Sequence, residues 1–122
     1  MTRFRTQALS VAAVLASSLT LLPTAQADSH GAAMLEEGKK IAFTRAQGNC
    51  LACHYIEGGE SPGTIAPPLV AMSSRYPDKA ALRAQIWDAT VANPESSMPP
   101  FGRHGILSEE EIDKVVEFIW AL

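Results

Sequence analysis

The chain has 122 residues, a net charge of −3 and 47% hydrophobic residues, with no Lys/Arg cluster. That charge balance argues against nucleic-acid binding. Two cysteines in all, with no second pair at ligand spacing, exclude a Cys-rich zinc site or a disulfide framework.

The N-terminal stretch has the three-part layout of a secretory leader. Arg3 and Arg5 give a positive start, an apolar run covers 8–22, and Pro23 precedes Ala25-Gln26-Ala27, an A-x-A-like cleavage signal. The run is about 15 residues, short of the roughly 20 that span a bilayer. The reading is a signal peptide over 1–27, export to the bacterial periplasm, and one mature domain over 28–122. Eight basic and thirteen acidic residues then remain, a net charge of −5. So small a domain buries only a modest core from its own side chains.

Four helical segments follow, with no strand alternation and no internal repeat, so the expected class is all-α. The first helix is predicted over 34–47, with Leu35, Gly38, Ile41, Ala42 and Ala46 recurring at three- and four-residue steps. Gly38 costs such a helix roughly 1 kcal/mol relative to Ala. It marks either the close approach of another helix or a tolerated surface glycine. Gly48-Asn49 ends the segment.

Cys50-Leu51-Ala52-Cys53-His54 comes next. A C-x-x-C-H pentapeptide is a site of covalent c-type haem attachment: the cysteines bond the vinyl arms, and the histidine becomes the proximal iron ligand. The cofactor is therefore one haem c on Cys50 and Cys53, with His54 on the iron. A thioredoxin-like use of the pair would need a strand-helix-strand setting, whereas Cys50 follows a helix and precedes a loop.

Residues 57–68 read as a loop, punctuated by Gly58-Gly59, Pro62-Gly63 and Pro67-Pro68. A proximal histidine usually donates its second ring N–H to an oxygen. The carbonyl of Pro67 or Pro68 could accept it, with Pro67 preferred. A short helix is expected over 69–74. Pro77 opens a longer one, to about 91, with Leu82, Ile86 and Ala89 on its inner face. Trp87 and Trp120 are large aromatics on helices, a placement more typical of the core than of a docking face.

A second loop covers 93–107, rich in Pro and Gly, and contains Met98. The sixth iron position needs a ligand if the protein is a low-spin electron carrier. Met34 and Met72 lie too close to the motif along the chain to reach the far face of the haem. Met98, 44 residues after His54 in a stiff loop, is the preferred ligand. A thioether there raises the reduction potential. His104 is the competitor for that position, and Arg103 is a candidate partner for a haem propionate. The last helix starts at Ser108 with a capping box to Glu111 and a Leu107–Ile112 staple. Its stripe of Ile112, Val115, Val116 and Ile119 calls for a partner, for which the first helix with its glycine is the best candidate.

Taken together, Asn49-Cys50-Leu51-Ala52-Cys53-His54, Ala66-Pro67-Pro68-Leu69, Ile86-Trp87-Asp88, Asn93-Pro94 and Met98-Pro99-Pro100-Phe101-Gly102 resemble the SoxX family over about 35–122. These are the small monohaem subunits of the SoxAX complex of bacterial sulfur oxidation. The resemblance implies a small cytochrome c fold with His54 and Met98 as axial ligands. It implies a periplasmic heterodimer with SoxA. That complex conjugates thiosulfate oxidatively to the carrier cysteine of SoxYZ, with the catalytic site on SoxA and the released electrons passing to a soluble cytochrome c. The chain departs from the family in having Ala66 where a glycine is usual, which puts in question how closely that loop packs on His54. The haem edge near Leu51, Ala52 and the Met98 loop is the expected docking face. Two other readings stay beside this one: an independent shuttle cytochrome serving an oxidase or reaction centre, and an enzyme or gas sensor with a labile sixth ligand.

Overall fold

The structure, a computed structural model, describes residues 25–122, with side chains from Ser29 onward. Apart from its last three residues, the leader expected over 1–27 lies outside the described residues. Among those, the regular elements are helices: α1 (Ala25–Phe43), a 3-10 turn at Cys50–Ala52, α2 (Met72–Arg75), α3 (Lys79–Trp87) and α4 (Glu109–Trp120).

Helix α4 is the spine of the fold. Its capping box is complete: the Ser108 hydroxyl accepts from the Glu111 N–H, and the Glu111 carboxylate accepts from the Ser108 N–H at 2.8 Å. Three acidic residues in the first turn face the positive end of the helix dipole. Ile112, Val115, Val116 and Ile119 are all buried, as is Leu107 just before the cap. Burying each such side chain contributes roughly 1.5–3 kcal/mol.

Helix α1 packs chiefly on α4, and α3 packs on α4 as well. Gly38 is where α1 comes closest: a Cβ built there would lie 2.0 Å from the backbone oxygen of Lys114. The glycine therefore belongs to a helix crossing and not to an open surface. Around it, Phe43 and Phe118 meet edge to face with centroids 5.8 Å apart. Lys114 pairs with Glu37 of α1 at 2.8 Å and with Glu110 at 2.7 Å. These carboxylates hold the lysine ammonium well above its ordinary range.

The helix limits differ from the sequence expectations for local reasons. Helix α1 stops at Phe43, before the expected 47. The Thr44 hydroxyl donates back to the Lys40 carbonyl, and the Gly48 N–H returns to the Ile41 carbonyl at 3.1 Å, which folds residues 44–48 into a turn. Asn49 then takes a left-handed backbone, φ 48°, and launches the 3-10 turn. Helix α3 begins after Asp78, whose side chain caps the Ala81 N–H, so Pro77 stands just outside the helix. It stops at Trp87, not near 91, because Asp88 turns extended and its carboxylate accepts from Thr90. Leu82 and Ile86 are buried, as the spacing predicts, and Ala89 is buried too although it lies past the end of the helix.

Candidate functional site

The haem-attachment motif is held by the loop that follows it. Three N–H groups of the loop, from Gly63, Ala66 and Leu69, donate to the carbonyls of Leu51, Cys53 and Tyr55 at 2.7, 3.1 and 2.9 Å. The loop thus returns alongside the motif as an irregular strap. Gly63 is required for that approach, since a Cβ there would meet the Ala52 carbonyl oxygen at 2.2 Å. The strap brings the Pro67 carbonyl to His54 Nδ1 at 2.6 Å. A carbonyl only accepts, so Nδ1 carries the proton and Nε2 keeps its lone pair. The methyl group of Ala66 does not hold the loop away from His54. Arg75 braces the next residue, with Nη1 donating to the Pro68 carbonyl at 2.7 Å.

Cys50, Cys53, His54, Pro67 and Met98 all line one cavity of about 580 Å³. Its apolar wall includes Leu82 and Ile86 of α3, Val115 and Ile119 of α4, Phe101 and Leu107 of the second loop, and Met72 of α2. Cys50 and Cys53 are not joined to each other by a disulfide. Two thiols, an imidazole with a free Nε2 and a thioether facing one apolar chamber suit a covalently anchored haem. The donors are those of c-type attachment with His/Met ligation, and the wall gives the flat macrocycle an apolar bed.

The pattern of the cytochrome c family matches residues 35–122. The chain belongs to the cytochrome c family. Its haem is the covalently bound haem c of that family. Among solved structures, SoxXA from P. pantotrophus contains a chain that is similar at 35% identity. The TM-score is 0.63, and the match covers 70% of this chain and 78% of that one. This relative supports the likeness to SoxX within the cytochromes c. No curated protein matches the chain.

Arg103 stands apart from the other residues singled out in the sequence. It does not line the cavity; its Nε meets Asp88 Oδ2 at 3.1 Å. One edge of its guanidinium is engaged by a buried carboxylate, and the side chain is about half exposed. Arg45 and Arg75 are the arginines on the cavity wall. His104 is exposed and also absent from that wall, as is Trp87. Trp87 lies instead against Gly102, where a Cβ would meet the indole at 2.1 Å, and Arg83 sits over its ring at 5.4 Å from the centroid. Sequence reasoning did not single out Arg45 or Arg75, and it quoted Asp88 only within the Ile86-Trp87-Asp88 motif, with no role of its own. For Asp88 a signal was present, an acidic residue at the end of an amphipathic helix, but its ion-pair partner is fifteen positions away.

Proposed function

We propose that this chain is the periplasmic electron-transfer subunit of a SoxAX-type complex. In this reading residues 1–27 are a leader, removed on export, and residues 28–122 pair with a SoxA partner. That complex conjugates thiosulfate to the carrier cysteine of SoxYZ, and this chain takes up the released electrons for a soluble cytochrome c. The observation that carries the reading is the single chamber shared by Cys50, Cys53, His54 and Met98 in a chain similar to part of SoxXA.

The residues divide the work as follows. Cys50 and Cys53 carry the thioether bonds, which leaves no thiol for a persulfide. His54 presents Nε2 to the iron while Pro67 holds its ring by Nδ1. Met98 supplies a soft sulfur that closes the remaining position to substrate. Haem held this way supplies a one-electron couple. The buried apolar side chains exclude water from it, which favours the less charged, reduced state.

Co-purification from the native periplasm tests the reading. A larger haem protein should accompany the mature chain. A monomer that passes SoxA by in a pull-down would refute the assignment to such a complex.

A further inference from the structure

The end of α3 is fastened to the loop that carries Met98 by several independent contacts. The Trp87 carbonyl accepts from the N–H groups of Gly102 and Arg103 at 3.1 and 3.4 Å. The Trp87 indole lies on Gly102, where any side chain would collide with it. The third contact is ionic. Asp88 is only 5% exposed, and a buried carboxylate is costly unless it is paired. Its Oδ1 accepts from the Thr90 N–H at 3.0 Å and from the Thr90 hydroxyl. Its Oδ2 faces Nε of Arg103, a residue about half exposed. Nothing in electron transfer itself calls for a buried charge at this place.

The geometry points to Asp88 as a positioning residue for Met98, acting through Arg103. This inference rests on Met98 being an iron ligand. Between Met98 and Gly102 the chain is Pro99-Pro100-Phe101, and two prolines with fixed φ leave little slack. Phe101 is buried as well, and its carbonyl accepts from Ile106 and Leu107 at 2.9 and 3.1 Å. Fixing Gly102 and Arg103 against α3 therefore fixes where the sulfur stands. On the other side, the Met98 N–H donates to Ser96 Oγ at 3.2 Å, and the Ser96 N–H donates to the Asn93 carbonyl at 2.9 Å. The loop has no regular structure of its own, so its rigidity comes from these anchors. Asp88 is the one among them that a side-chain exchange removes without touching the packing.

The test uses the haem-loaded protein and the substitution Asp88→Asn, which keeps the shape and can still accept from Thr90 but loses the charge facing Arg103. Three readouts report on the sulfur itself: the near-red charge-transfer band of thioether-bound ferric iron, the reduction potential, and the rate of imidazole binding to the ferric protein. The expected result is a weakened band, a lower potential and several-fold faster imidazole binding, with haem still attached. Arg103→Gln should shift all three the same way, and the double variant should add nothing to either single one. A lowered melting temperature with all three readouts unchanged would overturn the positioning role and leave only a structural one. Should Asp88→Asn not accumulate as folded protein, the partly exposed Arg103→Gln carries the same test. Met98→Ala separates the two readings. If it keeps the band, Met98 is not the ligand and the inference falls with it. If it abolishes the band while Asp88→Asn and Arg103→Gln leave it intact, the ligand reading stands and the positioning inference alone fails.

Discussion

Replacing Gly38 by alanine sets two effects of known sign against each other. By helix propensity alone, alanine stabilises a helix interior by about 1 kcal/mol relative to glycine. The new methyl group, however, would lie 2.0 Å from the Lys114 oxygen, 2.6 Å from its carbonyl carbon and 3.0 Å from Phe118 Cβ. Non-bonded heavy atoms settle near 3.5–4 Å, so α1 and α4 must part by about 1 Å or more. The two nearest of these atoms are backbone and cannot rotate away. The cost therefore belongs near the top of the overpacking range, about 3 kcal/mol. The balance is a net loss of about 2 kcal/mol, which for a domain of this size lowers the melting temperature by about 10 °C. Thermal unfolding of the haem-loaded protein, followed by far-UV circular dichroism, measures it. Gly31→Ala is the internal control, since that glycine is also in α1 and a Cβ there has nothing within 4 Å. It should be neutral or stabilising by up to about 1 kcal/mol. If Gly38→Ala melts at or above the parent temperature, the tight α1–α4 crossing is wrong.

Other expectations follow from the same structure. Ser108→Ala removes one half of the capping box and should cost about 1 kcal/mol, read as a shift of the urea midpoint with unchanged slope. The Glu111 carboxyl is held below its ordinary value of 4.5, first by the Ser108 N–H and then by the Ser108 hydroxyl and Gln47. Its contribution is therefore complete above that value and fades as the pH falls through the depressed folded value. Glu111→Gln can still close the box, so it should flatten the acid limb of the stability profile while changing neutral stability little. An equal acid limb in both proteins would show that other carboxylates govern it. Mass spectrometry of the exported protein should give residues 28–122 plus one haem. A mass that includes the first 27 residues would refute cleavage after Ala27.

What could be read from the residues alone was whatever depends on near neighbours in the chain. Cys50, Cys53 and His54 lie within five positions, so the attachment of haem was legible without a fold. The Ser108–Glu111 box and the stripe from Ile112 to Ile119 repeat at helical spacing, and the structure forms them where expected. A mid-helix glycine, by contrast, has two meanings in sequence, and only the presence of the Lys114 carbonyl against Gly38 decides between them. The end of α3 was misjudged because an aspartate, not the later Asn93-Pro94, turns the chain. For Arg103 the fold adds a contact that the sequence does not show, with a buried carboxylate fifteen residues earlier. Local covalent and helical rules act over a few residues and are written directly in the order of amino acids. Which carboxylate meets which arginine, how closely two helices approach and which side chains wall the chamber depend on long-range packing, which brings together groups the sequence keeps apart.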